Sequence, residues 1–159
     1  MVAPCFSRVG STVGAGSANG PSRHGAPKNK KGCKKMSYKI TRRDEAYFYV
    51  AAGHYDVRTT RLHDLTDVNN GGMTMGLSHF LPGGGTTYGS NTKESIYYII
   101  SGKMYLESEV GTENEVKTTL HEGDSYHCGP NTQKSVVNNG ATTAQMLVVL
   151  ITPPEVDNA

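Results

Sequence analysis

Five of the chain's six histidines, His54, His63, His79, His121 and His127, lie after Met36. Histidine is the side chain best suited to hold a metal ion or move a proton near neutral pH. His79 stands two residues before Leu81 in an apolar stretch, and His127 ends the run Ser125–His127. A displaced metal site built from these two and a carboxylate is one chemistry their types permit. The plainer reading makes each a hydrogen-bonded structural or surface residue of a sheet. His54, His63 and His121 fall at turns or strand ends and read as solvated. Cys128 follows His127 directly, but consecutive strand residues point to opposite faces, so a thiol–imidazole nucleophile pair is disfavoured and Cys128 reads as core packing.

The elements that must position such residues are strands. Of 159 residues, 36% are hydrophobic, none is Trp and 19 are Gly, while Thr, Val, Ile and Tyr recur in short runs, a usage that favours strands and tight turns. This length suits one domain with one core. Strands are expected over Tyr47–Ala51, Val57–Leu62, Gly72–Leu81, Ser95–Ile100 and Lys103–Glu109, then Glu113–Leu120, Ser125–His127, Lys134–Asn138 and Gln145–Thr152. Pro82-Gly83-Gly84-Gly85 reads as a turn ending the third strand, and Gly102 as a hairpin turn. The segment 64–70 admits a helical turn at most.

Residues 1–35 differ in kind. They combine Gly, Ser, Pro and Lys with almost no bulky apolar side chain, and such a segment cannot repay the entropy of ordering. A basic, disordered tail is expected there, with the folded domain spanning residues 36–159. An extension ahead of the natural start, an organelle transit peptide and an interaction arm all fit its composition. Seven of the sixteen basic residues precede Met36, whereas all fourteen acidic ones follow it, so the folded part is acidic despite a formal net charge of +2. A basic run of this sort is usually just solvated, which argues against a nucleic-acid partner. Three cysteines make no even disulfide framework, pointing to a reducing, cytoplasmic compartment. No stretch approaches the ~18 apolar residues of a membrane helix, so no membrane association is expected.

Two segments carry a family resemblance. From Phe80, FLPGGGTTYGSNTKESIYYIISGKMYLE resembles the first cupin motif: a Pro-Gly turn, a variable ligand loop, then a strand closing at a Gly hairpin. Further on, EGDSYHCGPNTQKSVVNNG resembles the second, with Gly-Asp opening a strand, a Pro-containing turn, and a ligand position four residues before an Asn. The resemblance implies an all-β, single-domain antiparallel jelly-roll barrel, of a kind that often works as a homodimer. It also implies a metal ion held by two histidines one residue apart, a glutamate and a further histidine. Those ligands are largely replaced here. Ser95 falls at the glutamate position with Glu94 beside it; Tyr88 and Ser90, or Gly89 and Asn91, fall at the paired histidines; Lys134 falls at the last histidine. A protonated lysine cannot ligate a metal. No metal or other cofactor is therefore expected.

Strand alternation leaves two registers open. Either Ser95, Tyr97 and Ile99 face the lumen, or Glu94 does and pairs with Lys134. In both, a lysine stands inside the barrel, where it is costly unless paired and where desolvation can bring it toward a catalytic range. As a cation, Lys134 would grip a carboxylate or enolate; as a neutral amine it would act as a base or form a Schiff base. Tyr88 and Tyr97 are candidate catalytic hydroxyls, with Ser90, Ser95, Glu94, His79 and His127 as substrate contacts. The loop 83–91 is a candidate lid. The expected function is a metal-independent lyase, isomerase or decarboxylase acting on a small anionic keto or aromatic acid. The alternatives are a non-catalytic small-ligand module and a metal enzyme using His79 and His127.

Overall fold

The computed structural model describes residues 38–68 and 72–152. Nine strands run in chain order: β1 (Tyr47–Tyr49), β2 (His54–His63), β3 (Met73–Thr86), β4 (Glu94–Ser101) and β5 (Lys103–Ser108), then β6 (Val116–His121), β7 (Ser125–Cys128), β8 (Lys134–Val137) and β9 (Ala144–Ile151). All pairings are antiparallel. The order β6-β5-β8-β3-β9-β4-β7, with β2 also on β3 and β1 on β2, makes the nearly closed barrel of a jelly roll. The helical turn allowed after residue 64 is a single 3₁₀ turn at Leu65–Asp67, capped by the Asp64 side chain. The tail expected at residues 1–35 lies outside the described residues.

All nine expected strands are present among the described residues, and their ends agree within a few positions except in β3. That strand does not stop at Pro82 but continues to Thr86. Its first part pairs with β9 as far as Phe80 opposite Ala144, and past the bend it pairs with β8 at Gly85 opposite Val137. The Pro-Gly-Gly-Gly run is therefore a corner where one strand leaves β9 and turns to pair with β8 within the same sheet. Close approach dictates its glycines. A Cβ on Gly84 would lie 2.3 Å from the Asp56 carbonyl oxygen, and one on Gly85 would lie 2.4 Å from that of Val136.

Asn138 staples the corner. Its buried amide donates to the carbonyls of Phe80 (2.9 Å) and Thr142 (2.8 Å), and its side-chain oxygen accepts from Gly140 N at 2.9 Å. Its backbone adds bonds to Gly83 N and the Gly84 carbonyl. Below this corner lies the core of Phe80, Ile99, Met104, Leu106, Val136, Ala144 and Met146. Each of the larger side chains contributes roughly 1.5–3 kcal/mol by leaving water. The core plugs one end of the barrel and leaves the other open.

Candidate functional site

β4 settles its own register. Ser95 and Ile99 are fully buried, while Glu94 lies on the opposite face and bonds His127 on β7 at 2.6 Å. Glu94 therefore does not reach Lys134, because strand alternation sends the two to different sides of the sheet. Ser95, Tyr97 and Ile99 point inward.

The open end of the barrel encloses a cavity of about 420 Å³. β8 brings Lys134 to it. A mutual pair of backbone hydrogen bonds with Gly89 fixes the Lys134 backbone, and Val136, two residues on, is in the core, so the lysine side chain enters the same interior. Only 7% of Lys134 is exposed. Its ammonium donates one long bond, 3.4 Å, to the Thr132 carbonyl and forms no ion pair among the described residues.

Tyr97 lines the cavity from β4, stacked on Tyr126 with ring centroids 6.0 Å apart. Burial pushes its hydroxyl up to about 12, against a smaller opposing pull from a hydrogen bond with Ser95. It is thus a neutral donor throughout the physiological range. The Tyr126 hydroxyl sits 2.8 Å from Ser108 Oγ, and burial raises its pKa as well.

The sequence-based candidates separate into three groups. Lys134, Tyr97 and Ser90 line the cavity. Ser95 is buried next to Tyr97, its hydroxyl donating to the Lys93 carbonyl at 3.5 Å. Tyr88, Glu94, His79 and His127 do not line it. Tyr88 is 45% exposed and its hydroxyl accepts from Val110 N at 2.8 Å, tying down the loop on the outside. His79 lies on the outward face of β3, the inward positions around it being Ser78 and Phe80. His127 is occupied by Glu94 and does not meet His79, since β4 and β9 stand between β7 and β3.

Sequence reasoning missed several lining residues, among them Tyr49, His54, Arg61, Ser78 and Lys93. His54 is not solvated at a turn. It opens β2, stacks on Phe80 and lies with Nδ1 2.9 Å from the Ala52 carbonyl, which places the proton on that nitrogen. Arg61 was within reach of the two-residue period, since Val57, Thr59 and Arg61 share the inward face of β2.

The cavity holds Lys134, Arg61 and Lys93, with His54 beside them, and no aspartate or glutamate. The metal position that the resemblance implies does not fit these residues. The resemblance puts Ser95 and Lys134 where a carboxylate and an imidazole would stand, and no cluster of three His, Cys, Asp or Glu able to hold an ion occurs among the described residues.

A jelly-roll barrel with an open, cation-lined interior defines the class, and comparison with known proteins gives the family. The Cupin domain model matches residues 76–150. A β-D-galactosidase of Mycobacterium tuberculosis is 30% identical over 115 residues, covering 72% of this chain and 95% of that protein. This chain belongs to the cupin family. Among solved structures, the polyketide cyclase RemF of Streptomyces resistomycificus matches with a TM-score of 0.60 at 18% identity, over 72% of this chain and 80% of that one. The cupin domain of Drosophila melanogaster CENP-C matches with a TM-score of 0.57 at 17% identity, over 72% and 82%. Similar proteins thus include some named as enzymes. Among the described residues no helix is long and apolar enough to cross a membrane.

Proposed function

We propose that this cupin is a cytoplasmic, metal-independent enzyme of the lyase, isomerase or decarboxylase class, acting on a small anionic keto or aromatic acid. One observation carries the reading. The buried Lys134 ammonium borders a cavity with no carboxylate to neutralise it, and an unpaired buried charge calls for a counter-charge from the ligand. Lys134 grips the substrate carboxylate or the enolate that forms from it. The neutral Tyr97 hydroxyl donates to the same developing charge, in a setting where water is scarce and such bonds are strong.

The name of the Mycobacterium relative raises a second reading, hydrolysis of a galactoside. Paired-carboxylate hydrolysis requires two Asp or Glu flanking the bond, and none lines this cavity. A non-catalytic ligand module is the other rival. All three are separated by isothermal titration and turnover assays of the protein with pyruvate, phenylpyruvate, benzoate and a nitrophenyl galactoside. Acid binding with turnover, both lost in Lys134→Ala, supports the proposal. Acid binding without turnover of any acid favours the module, and galactoside cleavage favours the hydrolase.

The partner we propose is a second copy of the chain. On the outward face of β4, Ile96, Tyr98 and Ile100 are 38%, 44% and 39% exposed, and Met73 on β3 is 37% exposed. With Leu147 and Val149 of β9 between them, these make a continuous apolar sheet face, self-complementary when turned by a two-fold axis.

A further inference from the structure

We propose that the ligand is a dianion, a small dicarboxylic acid whose first carboxylate sits on Lys134 and whose second sits on Arg61. This deepens the reading of the cavity as an anion site and rests on it.

Arg61 lines the same cavity from β2. Its guanidinium carbon lies 4.4 Å from the centre of the Tyr49 ring, a stacking that holds the planar fork in one orientation. Gly76, opposite Arg61 in the ladder, makes room for this stack: a Cβ there would come within 3.2 Å of the Tyr49 hydroxyl. The Arg61 Nε is buried and has no hydrogen-bond partner. Asp64 feels the guanidinium electrostatically, but its oxygens already accept from the Tyr47 hydroxyl at 2.6 Å and from Leu65 N at 2.8 Å. Arg61 forms no ion pair within 4.0 Å among the described residues, since the bridges there join other side chains.

A buried ammonium and a half-buried guanidinium thus border one cavity whose lining holds no carboxylate. A monoanion on Lys134 leaves the Arg61 fork with no carboxylate within ion-pair distance on the cavity side, its acidic neighbours Glu45, Asp64 and Asp67 lining a separate small cleft. An acid with a second carboxylate satisfies both, and a guanidinium fixed by stacking is the group best matched to a planar carboxylate. The hydroxyls of Ser78, Thr86 and Tyr97 line the space for the middle of such a ligand.

The test is calorimetric titration of the full chain with malonate, succinate, glutarate and adipate, each against its monomethyl ester, at constant ionic strength. One chain length is expected to bind at least about tenfold tighter than its own ester. Arg61→Gln should bring that diacid down to the affinity of the ester, while Lys134→Met weakens both. If diacid and ester bind wild type alike, the dianion assignment fails and the single-anion reading stands. Retention of the diacid preference in Arg61→Gln overturns the role of Arg61. If neither diacids nor esters bind, the anion site itself falls. The wild-type comparison alone decides the main point even where Arg61→Gln folds poorly.

Discussion

Gly89 and Lys134 exchange a pair of backbone hydrogen bonds, 2.9 Å from Lys134 N to the Gly89 carbonyl and 3.0 Å from Gly89 N to the Lys134 carbonyl. This bridge ties the loop after β3 to the first residue of β8. The backbone that carries the lysine is thereby fixed before any ligand arrives, which lowers the entropy lost on binding.

A lysine held for function at such a position works against stability. Replacing it with methionine of similar length keeps the packing and removes an uncompensated charge. Lys134→Met should therefore unfold at higher temperature, by about 1 kcal/mol or a few degrees in Tm, and should lose acid binding. Differential scanning calorimetry alongside titration checks both. A Tm that falls would mean the lysine is a structural member of the barrel.

The corner of β3 distinguishes two kinds of glycine. Gly84→Ala and Gly85→Ala each push a methyl against backbone at 2.3–2.4 Å, where no side chain can give way. Each should cost roughly 3 kcal/mol or more and move the urea midpoint strongly. Gly83→Ala meets open space at φ +81°, so only backbone strain applies, and a loss of about 1 kcal/mol is expected.

Tyr97 gives a pH signature. Its hydroxyl ionises near 10 in the unfolded chain and at about 12 in the folded one. Between these values the folded state binds more protons, so stability falls as pH rises through this window and is complete below pH 10. The loss should be roughly 2–3 kcal/mol by pH 12. Tyr97→Phe should flatten that part of the profile in denaturant titrations at pH 9–12, and should also weaken ligand turnover at pH 7 without creating an alkaline limb there.

The outward face of β4 makes the assembly testable. Ile96→Glu with Tyr98→Lys places charge in the middle of the proposed contact but touches no cavity residue. Light scattering should show a dimer become a monomer of half the mass, with acid binding retained. A wild-type monomer at micromolar concentration would rule the contact out.

Much of the barrel is legible in the residues themselves. Alternating β-branched and aromatic runs, punctuated by Gly and Pro, located nine strands, because turn chemistry and the two-residue period are local properties. The limit shows at Pro82-Gly83-Gly84-Gly85. Local reading makes it a terminator, and only the packing of Asp56 and Val136 against it turns it into a corner.

The site divides in the same way. The sequence, through its resemblance to the cupin motifs, put Lys134 at the last histidine position, Ser95 at the glutamate position, and either Tyr88 and Ser90 or Gly89 and Asn91 at the paired histidines. Tertiary structure decided which of them share a space: it sent Glu94 to His127 and Tyr88 outside, and it brought Arg61, on a strand far earlier in the chain than Lys134, to the same cavity. The reason is geometric. A strand's period fixes which residues share a face, but which face is inward, and what stands across the lumen, depends on non-local pairing and on burial of the core.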